Sequence, residues 1–253
     1  MSDVNKQVTE LLRELLLPAM RRSFEEKARH AERESLGYVH YLRDLAEQEC
    51  QERRNNRIQR LLQASKLPLE KTLATFDMKR LPVKAARQAK SLLDGSFLDR
   101  RENVLAFGNP GSGKTHLLSG LGQELIRQGR RVAFTTCSRL VQDLLRAKQA
   151  LQLSRAIKKL AYYEALVIDD IGYVQQSREE MEVLFTLLAE RYERGSVMIT
   201  SNLPFSKWEV IFKDPMTTAS AIDRLVHHSV IVELNITSYR LEQAKKQKTE
   251  ATA

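Results

Sequence analysis

The hydrophobic pattern changes its period once along the chain. Up to about residue 66 it is helical. Val8, Leu11, Leu12, Leu15 and Leu16 recur at i, i+3, i+4, i+7 and i+8, the stripe of an amphipathic helix. Pro18 interrupts that stripe, and "PAMRRSFEEKARHAER" predicts a second helix with proline in its first turn. "GYVHYLRDLAEQECQERRNNRIQRLLQAS" predicts one long helix whose apolar positions thin out and return at Ile58, Leu61 and Leu62. Residues 66 to 102 are transitional. Leu67-Pro68 and Leu81-Pro82 mark stops, and "PVKAARQAKSLLDG" predicts a helix with Gly95 just past its end.

From Asn103 onward, short apolar runs alternate with helical stretches. "NVLAF", "RVAFTTC", "ALVIDD", "SVMITSN" and "SVIVEL" predict five strands. "KTHLLSGLGQELIRQG" predicts the first helix between them. "SRLVQDLLRAKQAL" predicts another with Ser138 as its N-cap, and "SREEMEVLFTLLAERYERG" one ending at Gly195. This alternation argues an α/β fold, a parallel sheet with helices on both faces. The expected division is a helical N-terminal domain at 1–66, an α/β core with its lead-in segment at 67–241, and a polar tail at 242–253.

The first strand runs into "GNPGSGKTHL". Gly108, Gly113, Lys114 and Thr115 fit the spacing G-x-x-x-x-G-K-[ST], between a strand and a helix as that motif requires. Gly108, Asn109, Pro110, Gly111, Ser112, Gly113, Lys114, Thr115 and His116 are therefore expected to line a nucleotide. The loop N–H groups and the helix N-terminus face its phosphates, and Lys114 reaches the β and γ phosphates. Asp169 and Asp170 end the third strand, where ligands of open α/β sheets bind. Asp169 with Thr115 is expected to hold Mg²⁺, and Asp170 to orient or deprotonate a water. Asn202 follows the fourth strand and is placed to bond the γ phosphate or that water. The expected ligands are ATP and Mg²⁺, and the expected reaction is hydrolysis to ADP and phosphate.

Taken together, "GNPGSGKTHL", "LVIDDIGY", "ITSNLPFSKW" and "AIDRLVHHS" resemble the AAA+ ATPases of the IstB and DnaC/DnaI group. "LLLPAMRRSFEE", the arginine-rich helix and "LPLEKTLATFD" narrow the resemblance to the IstB family, the helper ATPases of bacterial insertion sequences. The resemblance implies an AAA+ core without a C-terminal helical lid. It also implies roles that the residues alone do not assign. Asn202 matches the first sensor. Arg224 matches an arginine finger reaching into a neighbouring subunit's ATP, and Arg240 a second sensor. It further implies an ATP-bridged homo-oligomer on duplex DNA that assists the transposase of the same insertion sequence in target selection, and that hydrolysis disassembles. The alternative is a replicative helicase loader of the DnaC/DnaI type. A small-molecule kinase would need a substrate lid, and no such insertion interrupts the core pattern.

Composition adds a partner class. Lys and Arg number 41 against 32 Asp and Glu, a formal charge of +9, which favours a polyanion. Two stretches concentrate it without an acid: Arg53, Arg54, Arg57 and Arg60 on the long helix, and Arg146, Lys148, Arg155, Lys158 and Lys159 between the second and third strands. The second is the expected DNA contact through phosphate, independent of base sequence; the first, with Arg53, Arg54 and Arg57, is expected either to contact DNA in the same way or to serve subunit packing through its apolar face. The two cysteines, Cys50 and Cys137, show neither metal nor disulfide spacing. The polar N-terminus and the lack of a long apolar run predict a cytoplasmic protein with no membrane partner. His227 and His228 read as structural residues beside Arg224.

Overall fold

A computed structural model describes residues 3–172, 177–208, 211, 215–239 and 242. The chain divides into two compact units, Met1–Arg60 and Leu61–Ala253. The first contains α1 (Asp3–Glu14), α2 (Pro18–Arg33) and most of α3 (Tyr38–Ser65). Pro18 opens α2, where its missing N–H costs nothing. The next two N–H groups, of Ala19 and Met20, donate to the buried Glu49 carboxylate at 2.8 and 3.1 Å.

The second unit is built on five parallel strands: β1 (Asn103–Gly108), β2 (Val132–Thr136), β3 (Ala165–Ile171), β4 (Ser196–Ser201) and β5 (Ser229–Leu234). Their spatial order is β2-β3-β4-β1-β5. The middle of β3, Ala165 to Ile168, is at most 1% exposed. That explains an unbroken apolar run instead of an alternating one: both faces are covered. The connection through α6 (Lys114–Arg127) crosses the sheet in one direction. Those through α7 (Cys137–Gln149), α8 (Leu153–Ala161), α9 (Arg178–Arg191) and α10 (Pro215–Val226) step back in the other. Right-handed crossovers therefore put α6 on one face and α7 to α10 on the opposite face. The main core cluster lies on the latter side, with Leu140, Leu144, Leu184, Leu187 and Trp208 packed on β3 and β4.

On its own face α6 receives the lead-in segment. A Cβ on Gly120 would lie 2.9 Å from the backbone nitrogen of Leu73, so only glycine admits this approach. Gln123 Nε2 donates to the carbonyls of Pro68 and Lys71, both at 3.1 Å. α4 (Val83–Ser91), a single 3₁₀ turn to Asp94 and the short α5 (Ser96–Asp99) then lead into β1. Gly95 follows that turn in the left-handed conformation, φ 73°, as its position past the helix predicts.

Two expected helix ends move. α7 is capped by Thr136, whose hydroxyl accepts the Arg139 N–H, and Ser138 lies inside the helix. α9 stops at Arg191, four residues before Gly195, because Arg191 turns inward and is buried. Its capping box at Ser177 and Glu180 is fully formed.

Candidate nucleotide-binding site

The β1–α6 loop is shaped by its backbone. Gly113 adopts φ 93° as the residue before α6, which directs the first N–H groups of that helix into the loop. Lys114 is buried and its Nζ donates to the carbonyls of Gly108 and Asn109 at 2.8 and 3.1 Å. The ammonium is thus held over the mouth of the loop. The Ser112 hydroxyl is buried there without a hydrogen-bond partner among the described residues, a donor left for a ligand inside the loop.

The strand-end acids separate into two environments. Asp169 is buried, and its Oδ1 accepts the hydroxyls of Thr115 at 2.8 Å and Thr200 at 2.7 Å. Asp170 is exposed, with φ 59°, where the β3–β4 register breaks. A left-handed non-glycine residue costs about 1 kcal/mol. Here the Asp170 N–H is held by Thr200 Oγ1 at 2.8 Å. Thr200 therefore fixes both acids at once, a role its sequence context does not signal.

Asn202 is positioned by its neighbours. Ser201 Oγ donates to the Ile171 carbonyl at 3.0 Å and accepts the Leu203 N–H at 3.1 Å. Phe107, Phe205 and the fully buried Trp208 pack edge-on beneath this turn. Asn202 and Asp170 then share with Gly111 to His116 a cavity of about 480 Å³, in the range of small-ligand sites.

The rest of that cavity comes from segments remote in sequence. The lead-in segment supplies Phe76, Asp77 and Arg80, and the stretch after β5 supplies Ile236 and Tyr239. Arg80 joins the two: it pairs with both carboxylate oxygens of Glu242 at 2.8 Å and stacks 5.1 Å from the Tyr239 ring. His116 Nε2 donates to the Thr72 carbonyl at 2.8 Å, and its ring meets Phe76 edge-on at 5.2 Å. It lines the cavity as expected, and it also ties the lead-in segment to α6.

Arg224 lies in the last turn of α10, its guanidinium 4.9 Å from the Phe185 ring and its Nη1 buried without a hydrogen-bond partner among the described residues. The carbonyl of the next residue, Leu225, accepts from Asn103 Nδ2, at the first residue of β1. The glycine loop follows the last residue of β1. The strand is six residues long, so roughly 16 Å separates the two ends. The end of α10 that carries Arg224 therefore lies at the end of the sheet where β1 begins, opposite its own loop. Arg240 lies outside the described residues.

The two cationic stretches differ. Arg53 donates to Glu49 at 2.9 Å and to the Leu16 carbonyl, and its side chain stays exposed. Burial acts to raise the Glu49 pKa, yet Arg53 and the two N–H donors outweigh it and hold the carboxyl below its ordinary range. Arg54 and Arg57 are exposed. In the second stretch Lys148 pairs with Glu182 at 2.9 Å. Arg146, Arg155, Lys158 and Lys159 are exposed, with no ion pair among the described residues. On α8 the buried Ile157, with Leu153, Ala156 and Leu160, faces the core, so the three cations form the outer face.

The model of the IstB-like ATP binding protein family matches residues 10–248. The chain belongs to that family. It is 42% identical to a putative insertion sequence ATP-binding protein of Sinorhizobium fredii, over 94% of this chain and 80% of that protein. It is 36% identical to the IS5376 putative ATP-binding protein of Geobacillus stearothermophilus, over 96% and 97%. Among solved structures, the DnaC helicase loader superposes with a TM-score of 0.53 at 16% identity, covering 62% of this chain and 92% of that one. The replication initiator DnaA bound to AMPPCP and single-stranded DNA superposes with 0.57 at 19%, covering 73% and 56%. These likenesses show the fold, an AAA+ P-loop core. Membership of an ATP-binding family supports nucleotide binding by this chain. Among the described residues no helix is long and apolar enough to cross a membrane.

Proposed function

We propose that this protein is an Mg²⁺-dependent ATPase that assembles through shared ATP sites on duplex DNA and assists the transposase of its insertion sequence. The observation that carries the reading is the position of Arg224. About one strand length separates it from its own loop, which supports a role at a second subunit's site. There, a guanidinium would stabilise charge on the transferred phosphoryl group.

The site's own residues fit the remaining roles. Thr115 and Asp169 form an all-oxygen pair at the loop mouth, the donor set for a hard cation. When bound, Mg²⁺ would neutralise charge between the β and γ phosphates. Lys114 would leave its loop carbonyls for phosphate. Asp170 and Asn202, side by side on the cavity wall, would orient the attacking water, with Asp170 as its base. Phe76 and Tyr239 offer aromatic surface for the base. Arg240, in the second-sensor position, is proposed on resemblance.

For DNA, the outer face of α8 with Arg146 is the favoured contact, and Arg54 and Arg57 a second one. The insertion-sequence relatives favour a transposition helper over a helicase loader. Titrating duplex DNA across salt concentrations tests the DNA part. Lys158→Ala/Lys159→Ala should lower the slope of log K against log salt by about one unit per lost phosphate contact. An unchanged slope would move the DNA surface elsewhere.

A further inference from the structure

Glu193, His227 and His228 are the one group of three His, Cys, Asp or Glu side chains placed to share a metal ion among the described residues. One ligand atom from each lies within 4.8 Å of the others, and all three are exposed. They come from two turns at the same end of the sheet, where the strands begin, one between α9 and β4 and the other between α10 and β5.

Both turns have fixed backbones. Glu193 takes φ 57°, and the Arg194 and Gly195 N–H groups close the turn on the Arg191 carbonyl, each at 3.0 Å. The His227 N–H bonds the Asp223 carbonyl at 2.9 Å, and the His228 carbonyl accepts the Asn103 N–H at 2.7 Å. A neighbouring hydroxyl also orients one of the imidazoles. His227 Nδ1 and the Tyr192 hydroxyl are 3.0 Å apart. With Nδ1 so engaged, Nε2 is the nitrogen left to bind an ion. Ligating imidazoles are ordinarily oriented in this way, through their other ring nitrogen.

We propose that Glu193, His227 and His228 bind a zinc-class divalent ion. Two imidazoles select zinc, cobalt or nickel over magnesium. Tetrahedral zinc with bonds of about 2.0–2.1 Å places its ligand atoms about 3.3 Å apart. Rotation of exposed side chains closes that gap from 4.8 Å without backbone movement. Three protein ligands leave the fourth position to water. The ion would clamp the end of α10 to the end of α9. Arg224 sits one turn before His227 and packs on Phe185 of α9, so the clamp would steady the arginine expected to enter the neighbouring site. This consequence rests on the trans role of Arg224, whereas metal binding does not.

Chelator-stripped, tag-free protein titrated with ZnCl₂ by calorimetry, without nucleotide, tests the site. One ion per chain is expected. Glu193→Gln and His228→Ala should each weaken binding by at least about tenfold, and Tyr192→Phe by about tenfold. His40→Ala and Cys50→Ser should leave it unchanged. The bound cobalt form should show the visible bands of a tetrahedral site. Absence of saturable zinc binding at micromolar concentrations would overturn the proposal. So would loss of binding in His40→Ala or Cys50→Ser with retention in Glu193→Gln. If zinc binds as described but leaves hydrolysis unaffected, the site stands and its link to Arg224 falls.

Discussion

At the scale of single residues, the site turns on hydroxyls as much as on acids. Asp169 has two hydroxyl donors on one oxygen, and one of them, Thr200, also accepts the Asp170 N–H. Thr200→Val keeps the shape of the strand and removes both interactions. It should leave nucleotide affinity within about twofold and reduce kcat by roughly 10–100-fold, the usual cost of losing a supporting bond to a metal ligand. Steady-state hydrolysis alongside nucleotide binding checks this. A fall in affinity with unchanged kcat would reassign Thr200 to folding. The loop from Gly108 to Thr115 and the acids at 169 and 170 were legible in the sequence because one backbone geometry demands their spacing. Thr200 was not, since a threonine in a strand ordinarily signals only β propensity. Phe76, Arg80 and Tyr239 were hidden for a different reason. They reach the cavity through contacts remote in sequence, such as Phe76 with His116 and Arg80 with Glu242, and no local pattern encodes such a pairing.

At the scale of elements, periodicity located the five strands and helices α1 to α4, α6, α7 and α9 but not α8 or α10, and side-chain chemistry moved some of their ends. Three residues, Thr136, Cys137 and Ser138, could have opened α7. Thr136 does so because its backbone is extended, φ −76° and ψ 150°, which lets its own hydroxyl meet the Arg139 N–H. Arg191 ends α9 by folding under the sheet. It donates to the carbonyls of Leu160, Tyr163, Glu164 and Ser196 at 2.8 to 3.2 Å. Burial pushes its pKa down to about 10, so it remains charged at neutral pH. One cation thereby joins the end of α8 to the starts of β3 and β4. Arg191→Met should cost about 3 kcal/mol through unsatisfied carbonyls and lower Tm by roughly 10 °C. Calorimetric unfolding reads this directly; a shift below 2 °C would mean that water replaces the guanidinium. The cationic stretch across α7 and α8 shows the limit of charge patterns. Its five cations look alike in sequence, yet Lys148, on α7, is held by Glu182, a residue on α9.

At the scale of the whole molecule, the change of hydrophobic period near residue 66 and the division between compact units at 60/61 both fall in or just after α3. A continuous helix carries the chain out of the first unit, so its periodicity cannot mark where packing partners change. The α/β core was legible because alternating buried strands and helices have few topologies available. The proposed use in an assembly rests on one distance, the length of β1 between the glycine loop and the residue that holds the end of α10. Mixing two inactive variants tests that claim most directly. Lys114→Ala should lose ATP binding and retain the arginine; Arg224→Ala should retain ATP binding and lack the arginine. Each alone should hydrolyse at least about a hundredfold more slowly, consistent with the loss of an arginine finger or of the loop lysine. Mixed on duplex DNA, they should regain a measurable part of the wild-type rate, because an Arg224→Ala subunit's ATP then meets a Lys114→Ala subunit's arginine. Continued inactivity of the mixture, with wild-type protein hydrolysing ATP as a strict monomer, would contradict the account.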